Sequence, residues 1–133
     1  VSNTGLLGRW QVLQTMPTVV CDTGHNKEGL LFTTKQLQQI NQGVLHIVFG
    51  VVGDKDLGAI LPLLPSSARY YFCAPNIPRA LNVAILNQKA KDFSLTGNSF
   101  KSVKAALRAA LRAAATNDII YVGGSTFVVA EVV

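Results

Sequence analysis

Residues 21–26 place three kinds of polar side chain in one short segment, Cys-Asp-Thr-Gly-His-Asn. The segment continues a β-branched apolar run, residues 18–21, so its polar groups stand where a buried strand would end. There Asp22 can accept from a ribose hydroxyl or hold a metal-bound nucleotide, and the His25 imidazole can donate to a carboxylate or a phosphate. Asn26 can cap a following helix, whose N-terminus favours anions. The alternative is a polar turn in which Asp22 and Asn26 only cap the helix.

A second candidate segment is Gly-Gly-Ser at residues 123–125, which follows the apolar run of residues 119–122. Glycines allow backbone N–H groups to approach an anion, and the Ser125 hydroxyl can donate a hydrogen bond. The segment lacks the Gly-x-Gly-x-x-Gly spacing of dinucleotide-binding loops. Residues 50–56, Gly-Val-Val-Gly-Asp-Lys-Asp, lack the spacing of a phosphate-binding P-loop. A simple tight turn is the alternative for residues 123–125.

The other residues capable of chemistry stand alone in the sequence. Arg9 is a single cation that could pair with a phosphate, although a lone surface arginine usually does nothing specific. His46 lies inside an apolar run, which predicts a core histidine with hydrogen-bonding partners. Cys21 and Cys73 fall in predicted strands, where we expect them to behave as small hydrophobic residues. Two cysteines cannot build a disulfide framework or a metal site by themselves, so a reducing, cytoplasmic setting is expected.

The composition is that of a folded domain. The chain has 133 residues, the length of one domain, of which 49% are hydrophobic and 14% charged. A disordered chain is excluded, because there is enough apolar surface to offset the ordering entropy. The apolar runs are too short to cross a bilayer, and no secretory signal is evident.

The net charge is +5, but Lys101, Lys104, Arg108 and Arg112 recur at helical spacing opposite apolar residues. That pattern favours a solvated helix face, so we expect no nucleic-acid and no membrane partner.

Strand and helix patterns alternate along the chain. Strands are predicted at residues 8–14, 18–21, 44–49, 69–73, 93–96 and 119–122. Helices are predicted at residues 30–40, 57–61, 83–90 (with Asn82 as N-cap) and 99–115. This alternation indicates an α/β, Rossmann-like fold with a mostly parallel sheet of about six strands, the first antiparallel, and helices on both faces. In such sheets ligands bind beyond the carboxyl ends of the strands, where residues 21–26 and 123–125 lie.

Taken in order, these segments resemble the C-terminal domain of folylpolyglutamate synthase/dihydrofolate synthase, of the Mur ligase superfamily. The resemblance extends over nearly the whole chain and rests on residues 8–9, 17–26, 48–50, 54–56 and 123–127. Its most specific part is the Asp-x-x-His-Asn element at residues 22–26. The chain departs from the family pattern at Leu7, Gly24, Lys27 and Phe127, where Pro, Ala, Pro and Tyr are usual. Phe127 cannot make any hydrogen bond that the tyrosine hydroxyl would make.

The resemblance implies an ATP-dependent ligase that adds L-glutamate to dihydropteroate, to folates or to both, with Mg²⁺ as a further cofactor. In that family ATP phosphorylates the acceptor carboxylate, and the amine of glutamate then attacks the acyl phosphate. Carried over position by position, Arg9 would contact the ATP phosphates and Asp22 the nucleotide. His25 would be catalytic, and with Asn26 and Ser125 it would bind glutamate or the acyl phosphate.

The resemblance also implies that residues 1–133 are a single C-terminal domain, a fragment without the N-terminal ATPase domain that holds the P-loop and most magnesium ligands. We therefore expect the isolated fragment, a monomer, to be inactive, with that ATPase domain of the same chain as its partner. A start at Val1 and a single methionine, Met16, fit a piece of a longer protein. The alternatives are the C-terminal domain of a peptidoglycan Mur ligase and a non-catalytic, flavodoxin-like nucleotide-binding or interaction module.

Overall fold

Six strands form one sheet, and most of them are rich in the β-branched and aromatic residues that favour a pleated, buried surface. The computed structural model describes residues 10–22, 27–40, 43–53 and 56–133, with the backbone alone at residues 10, 11, 27–29 and 40. The strands are β1 (Trp10–Gln14), β2 (Thr18–Asp22), β3 (Leu45–Phe49), β4 (Arg69–Phe72), β5 (Gly97–Ser99) and β6 (Ile119–Gly123). Every residue of β3 and of β6 is buried, as expected for central strands of a parallel sheet.

The sheet has the strand order β1-β2-β6-β3-β4-β5. β1 pairs antiparallel with β2, and the other four pairings are parallel. This confirms the predicted α/β fold, including the antiparallel first strand. The parallel register sets Cys21 of β2 beside Val122 of β6, and Phe49 of β3 beside Gly123. The carboxyl ends of β2, β6 and β3 therefore lie next to one another at one edge of the sheet.

Helices cover both faces of the sheet, which confirms the prediction. They are α1 (Lys27–Ile40), α2 (Leu57–Ile60), α3 (Val83–Lys91), α4 (Val103–Ala113) and α5 (Thr126–Ala130), with a 3-10 turn at Leu61–Leu63. On the face covered by α1, α2 and α3, which we call the α1 face, apolar residues of these helices pack against Val20, Phe49, Tyr121 and their neighbours. On the opposite α4 face, α4 and α5 pack against Val48, Val122 and both cysteines.

Side-chain hydrogen bonds to the backbone determine where helices α3 and α4 begin. The Asn82 side chain accepts from the backbone N–H groups of Ala84 (2.8 Å) and Ile85 (3.4 Å), which confirms Asn82 as the N-cap of α3. Ser102 caps α4 by accepting from Ala105 at 3.0 Å, so that helix begins at Val103 and not at residue 99. Lys104, Arg108 and Arg112 of α4 are exposed, whereas its residues Val103, Ala106 and Ala110 are buried, as the helical pattern predicted. Lys101 is exposed too, but it precedes the helix.

One predicted element is wrong. Residues 93–96 are not a strand: backbone hydrogen bonds from Phe93, Ser94 and Leu95 to the end of α3 close a turn, in which Ser94 has a φ of 63°. The strand lies at Gly97–Ser99, where it pairs with the outer edge of β4. A Cβ atom at Gly97 would collide with the carbonyl oxygen of Tyr70, so the close approach of the two strands requires glycine there.

Within the described parts of the chain, no helix has both the length and the apolar content needed to span a membrane.

Candidate functional site

The carboxyl edge of β2 and β6 carries two of the five predicted site residues. Asp22 is the last residue of β2, and Ser125 follows the end of β6 by two residues. Because these strands are neighbours with Cys21 beside Val122, both side chains belong to the same edge of the sheet. Arg9, His25 and Asn26, the other three, lie outside the described residues, as do Asp54 and Lys55 of residues 50–56. We refer to the edge formed by Asp22, Gly50 and residues 123–125 as the carboxyl-edge site.

Asp22 is buried on the α1 face, with 1% of its surface exposed. The Thr33 hydroxyl of α1 donates to Oδ2 of Asp22 at 2.9 Å. The Tyr121 hydroxyl of β6 donates to the same oxygen at 3.3 Å, which is long for a bond between two oxygens. A buried carboxylate is costly without such donors, so these two hydroxyls stabilise Asp22 at the end of its strand.

The turn after β6 requires glycine at two positions. Gly124 has a φ of +100°, and a Cβ atom there would collide with the Gly50 carbonyl oxygen and the Phe49 ring. The neighbouring Gly123 accepts a 3.4 Å hydrogen bond from the Gly50 N–H. A Cβ atom at Gly123 would stand 2.5 Å from the Tyr121 hydroxyl oxygen. Both glycines therefore let the chain approach its neighbours closely, which agrees with the tight turn that the sequence offered as one interpretation.

Ser125 has a structural role that does not use its whole hydrogen-bonding capacity. It is buried and caps α5, its Oγ accepting from the Phe127 N–H at 3.1 Å. A serine hydroxyl has one donor in addition to its acceptor sites, so this cap leaves the hydroxyl proton able to donate to a ligand. Phe127, in the first turn of α5, is 43% exposed beside it. The carboxyl-edge site thus combines a carboxylate, a hydroxyl and an exposed aromatic ring.

The two cysteines add no nucleophile to this site. Burial, together with the charge of Asp22, raises the pKa of the Cys21 thiol to about 12. Burial, together with the charge of Glu131, raises the pKa of Cys73 to about 12. Both thiols are free and stay protonated at neutral pH, which confirms that they behave as small buried hydrophobic residues.

A second polar cluster lies at the amino ends of β3 and β6, opposite the carboxyl-edge site. His46 is buried, with Nε2 2.8 Å from Oδ2 of Asp118 and Nδ1 2.7 Å from the Tyr71 hydroxyl. Asp118 also accepts from the backbone N–H groups of Val44 at 2.8 Å and Ala115 at 2.9 Å. The prediction of a core histidine with hydrogen-bonding partners is confirmed. Because an ionised carboxylate only accepts, we infer that Nε2 of His46 carries a proton.

Burial disfavours the charged form of Asp118, but the hydrogen bonds from His46, Ala115 and Val44 outweigh it and hold the carboxyl pKa below its usual value. Burial is also the main reason that the pKa of Tyr71 is raised; the charge of Asp118 adds to the increase, and Arg69 opposes it. The cluster ties β3 and β4 to the turn before β6, and its place at the amino ends of the strands marks it as structural.

Sequence reasoning missed Thr33 and Tyr121, the two donors to Asp22. Thr33 lies in the middle of a helix and Tyr121 in an apolar strand, positions that usually indicate packing alone. The signal that could have drawn attention to Tyr121 is Gly123, because residues two apart in a strand share a face. Among the described residues, no group of three or more His, Cys, Asp or Glu side chains is placed to hold a metal ion.

Comparison with known proteins assigns the chain to a family. A model of the family described as "Mur ligase, glutamate ligase domain" matches residues 8–126. The chain belongs to that family. The domain is 30% identical over 133 residues to the dihydrofolate synthase/folylpolyglutamate synthase of Buchnera aphidicola, covering 98% of the chain and 32% of that relative. It is 35% identical over 127 residues to a probable bifunctional folylpolyglutamate synthase/dihydropteroate synthase of Haloferax volcanii, covering 93% of the chain and 15% of that relative.

Solved structures agree with the sequence relatives. The domain matches E. coli FolC in complex with DHPP and ADP at a TM-score of 0.84 and 30% identity, over 94% of the chain and 30% of that structure. It matches the Yersinia pestis bifunctional folylpolyglutamate synthase/dihydrofolate synthase complexed with AMPPNP and Mn at a TM-score of 0.80 and 28% identity, over 92% of the chain and 29% of that structure. The chain therefore spans about a third or less of these relatives. The predicted resemblance to the C-terminal domain of folylpolyglutamate synthase/dihydrofolate synthase is confirmed.

Proposed function

We propose that this domain forms the glutamate-binding part of an ATP-dependent ligase that adds L-glutamate to dihydropteroate, to folates or to both. The observation that carries the proposal is the match of nearly the whole chain to E. coli FolC bound to DHPP and ADP, at 30% identity. A peptidoglycan Mur ligase and a non-catalytic module are less favoured, because the matched relatives carry folate-ligase names.

The chemistry that we propose has two steps. The γ-phosphoryl group of ATP passes to an oxygen of the acceptor carboxylate, giving an acyl phosphate and ADP. The amine nitrogen of glutamate then attacks the acyl carbon, phosphate leaves, and the nitrogen loses a proton as the amide bond forms. Both steps develop negative charge that must be stabilised and need water to be excluded, which two domains closing on each other achieve.

Within this scheme the carboxyl-edge site supplies the contacts that this domain makes to the ligands. Ser125 is buried with a hydroxyl proton able to donate, which suits a carboxylate of glutamate or the acyl phosphate. We assign Asp22 to the nucleotide, with the requirement that the edge opens on binding, because Asp22 is 1% exposed. Arg9 as a contact to ATP phosphates, His25 as the catalytic residue and Asn26 as a substrate contact stay predictions, since they lie outside the described residues.

The remaining parts of the proposal concern the whole protein. An N-terminal ATPase domain of the same chain supplies the P-loop and the Mg²⁺ ligands, in keeping with the share of each relative that this domain spans. A cytoplasmic location suits the two free thiols, which are typical of a reducing compartment. A monomer that binds neither nucleic acid nor membrane stays a prediction.

The test is Ser125→Ala in the full-length protein, with Ser102→Ala as the matched control. Each variant removes a serine that caps a helix, and each should cost about 1 kcal/mol of stability. Only Ser125→Ala also removes a donor at the carboxyl-edge site, so we expect it to lower kcat/KM for glutamate at least about tenfold, a loss typical of one hydrogen bond to a charged ligand. Steady-state assays of glutamate incorporation at saturating ATP measure the difference. Equal kcat/KM in the two variants would contradict a ligand role for Ser125.

A further inference from the structure

Asp22 ends strand β2, yet its side chain is buried and not exposed to solvent. Its carboxylate lies in the apolar layer of the α1 face, where Thr33, Leu30 and Tyr121 are each at most 2% exposed. A carboxylate in such a layer depends on nearby donors to satisfy its oxygens and to keep a defined orientation. Both hydrogen bonds described for its Oδ2 come from buried side chains, one on α1 and one on β6.

Thr33 directs its hydroxyl away from its own helix. The next residue, Thr34, does what helical threonines commonly do: its hydroxyl contacts the carbonyl oxygens of Leu30 at 3.0 Å and Leu31 at 3.1 Å. The Thr33 hydroxyl instead donates to Oδ2 of Asp22 at 2.9 Å. The two adjacent buried threonines thus differ in their hydrogen-bond partners: Thr34 bonds to its own helix and Thr33 to Asp22.

Tyr121 reaches Asp22 because Gly123 has no side chain. The two residues share the α1 face of β6, and a Cβ atom at Gly123 would stand 2.5 Å from the Tyr121 hydroxyl oxygen and 2.7 Å from its ring. The tyrosine ring therefore occupies the space beside Gly123 and carries its hydroxyl to within 3.3 Å of Oδ2. This bond is longer than that of Thr33, so it is the weaker of the two.

We propose that Thr33 and Tyr121 are positioning residues for the ligation reaction, which hold the Asp22 carboxylate in the orientation that it uses toward the nucleotide. Two donors on one oxygen, from a helix and from a neighbouring strand, restrict rotation of the carboxylate about its terminal bond. The inference rests on the proposed role of Asp22. It adds that two buried side chains of the domain set the orientation of the Asp22 carboxylate, with Thr33 contributing more than Tyr121.

The experiment measures kcat and KM for ATP in the full-length protein. Thr33→Val should raise KM for ATP about tenfold and Tyr121→Phe about threefold, with smaller changes in kcat and in KM for glutamate. Thr33→Ser keeps the hydroxyl and should behave as the wild type. Thr34→Val and Tyr70→Phe are the matched controls: each removes a buried hydroxyl that bonds to a backbone carbonyl (at 2.5 Å for Tyr70 and Pro65), and each should leave KM for ATP unchanged.

A cycle with Asp22→Ala separates positioning from a general structural effect. In the Asp22→Ala background, Thr33→Val should cause no further rise in KM for ATP, because the group that it orients is gone. A tenfold rise in KM for ATP in that background too would overturn the proposal, as would equal rises in KM for ATP in Thr33→Ser and Thr33→Val.

If Asp22→Ala itself leaves KM for ATP unchanged, the nucleotide role of Asp22 fails and the positioning role fails with it. If Asp22→Ala raises KM but neither Thr33→Val nor Tyr121→Phe does, only the positioning role fails. Thermal unfolding of each folded variant accompanies the kinetics, and Tyr121→Phe keeps the test decisive if Thr33→Val does not fold.

Discussion

Asp22 and Asp118 are buried carboxylates at opposite ends of neighbouring strands, and different parts of the chain supply their donors. Asp22, at the carboxyl end of β2, accepts from two side-chain hydroxyls, whereas Asp118, before β6, accepts from His46 and from two backbone N–H groups. Backbone donors are set by the fold itself and cannot move independently. Asp118 is therefore suited to stability, whereas Asp22 lies at the edge where parallel sheets bind ligands.

At this scale we predict that Asp118→Asn lowers the free energy of unfolding by about 1–3 kcal/mol at neutral pH, since it weakens several buried hydrogen bonds to a charged acceptor. The pH dependence has a definite sign. The pKa of Asp118 is lower in the folded domain than its ordinary value, so the unfolded chain binds more protons in acid. The stabilisation is therefore present above the ordinary carboxyl pKa and is lost as the pH falls through the folded-state pKa.

Urea unfolding of both proteins between about pH 3 and about pH 6 measures this slope. The wild type should lose more stability on acidification than Asp118→Asn. The same loss in both proteins would show that Asp118 carries no part of the acid sensitivity.

Single residues were predictable where the neighbouring sequence determines the environment. His46 in an apolar run predicted a partnered core histidine, and the structure supplies Asp118 and Tyr71 as its partners. The partners themselves were beyond prediction, because Asp118 is 72 residues from His46 along the chain. The contacts of Thr33 and Tyr121 with Asp22 were not predicted, because they arise only when α1 and β6 pack beside β2.

At the scale of elements, the turn between β6 and α5 depends on Gly124. We predict that Gly124→Ala destabilises the domain by at least about 2 kcal/mol, because alanine is strained at a φ of +100° and its Cβ would collide with Gly50 and Phe49. Gly58→Ala is the matched control: it lies in α2, where a Cβ atom makes only an ordinary 3.6 Å contact with Asp56. Helix propensity makes that change neutral or stabilising by up to about 1 kcal/mol.

Thermal and chemical unfolding of the two glycine variants compare these costs. A Gly124→Ala domain as stable as Gly58→Ala would mean that the turn relaxes around the added methyl group. The prediction would then be wrong.

Elements with a strong hydrophobic pattern were predicted within a few residues, and weak ones were not. Strands β2, β3, β4 and β6 follow the predicted apolar runs closely, because burial on both faces of a parallel sheet demands such runs. β5 has the sequence Gly-Asn-Ser, which no strand propensity favours; its place is set by pairing with β4. The apolar residues Phe93 and Leu95 misled the prediction, since they pack on the α1 face from a turn.

At the scale of the whole molecule, the proposed function makes the carboxyl-edge site one side of a larger ligand-binding arrangement. That Asp22 and Ser125 lie at the same edge of the sheet followed from the sequence, because the carboxyl ends of parallel strands share an edge and both residues stand near the end of an apolar run. The strand order, which makes β2 and β6 neighbours, was not contained in any local pattern. The chain spans about a third or less of each relative, which leaves room for the second domain that the proposed function requires.

The most direct measurement is glutamate incorporation by the isolated 133-residue chain and by the full-length protein, each given ATP, Mg²⁺, glutamate and either dihydropteroate or a folate. Circular dichroism and a cooperative unfolding transition serve as the control that the isolated chain is folded. We predict that the full-length protein forms a product one glutamate heavier with release of ADP and phosphate, and that the folded isolated chain forms none. Ligation by the isolated chain, or no ligation by the full-length protein with either acceptor, would contradict the account.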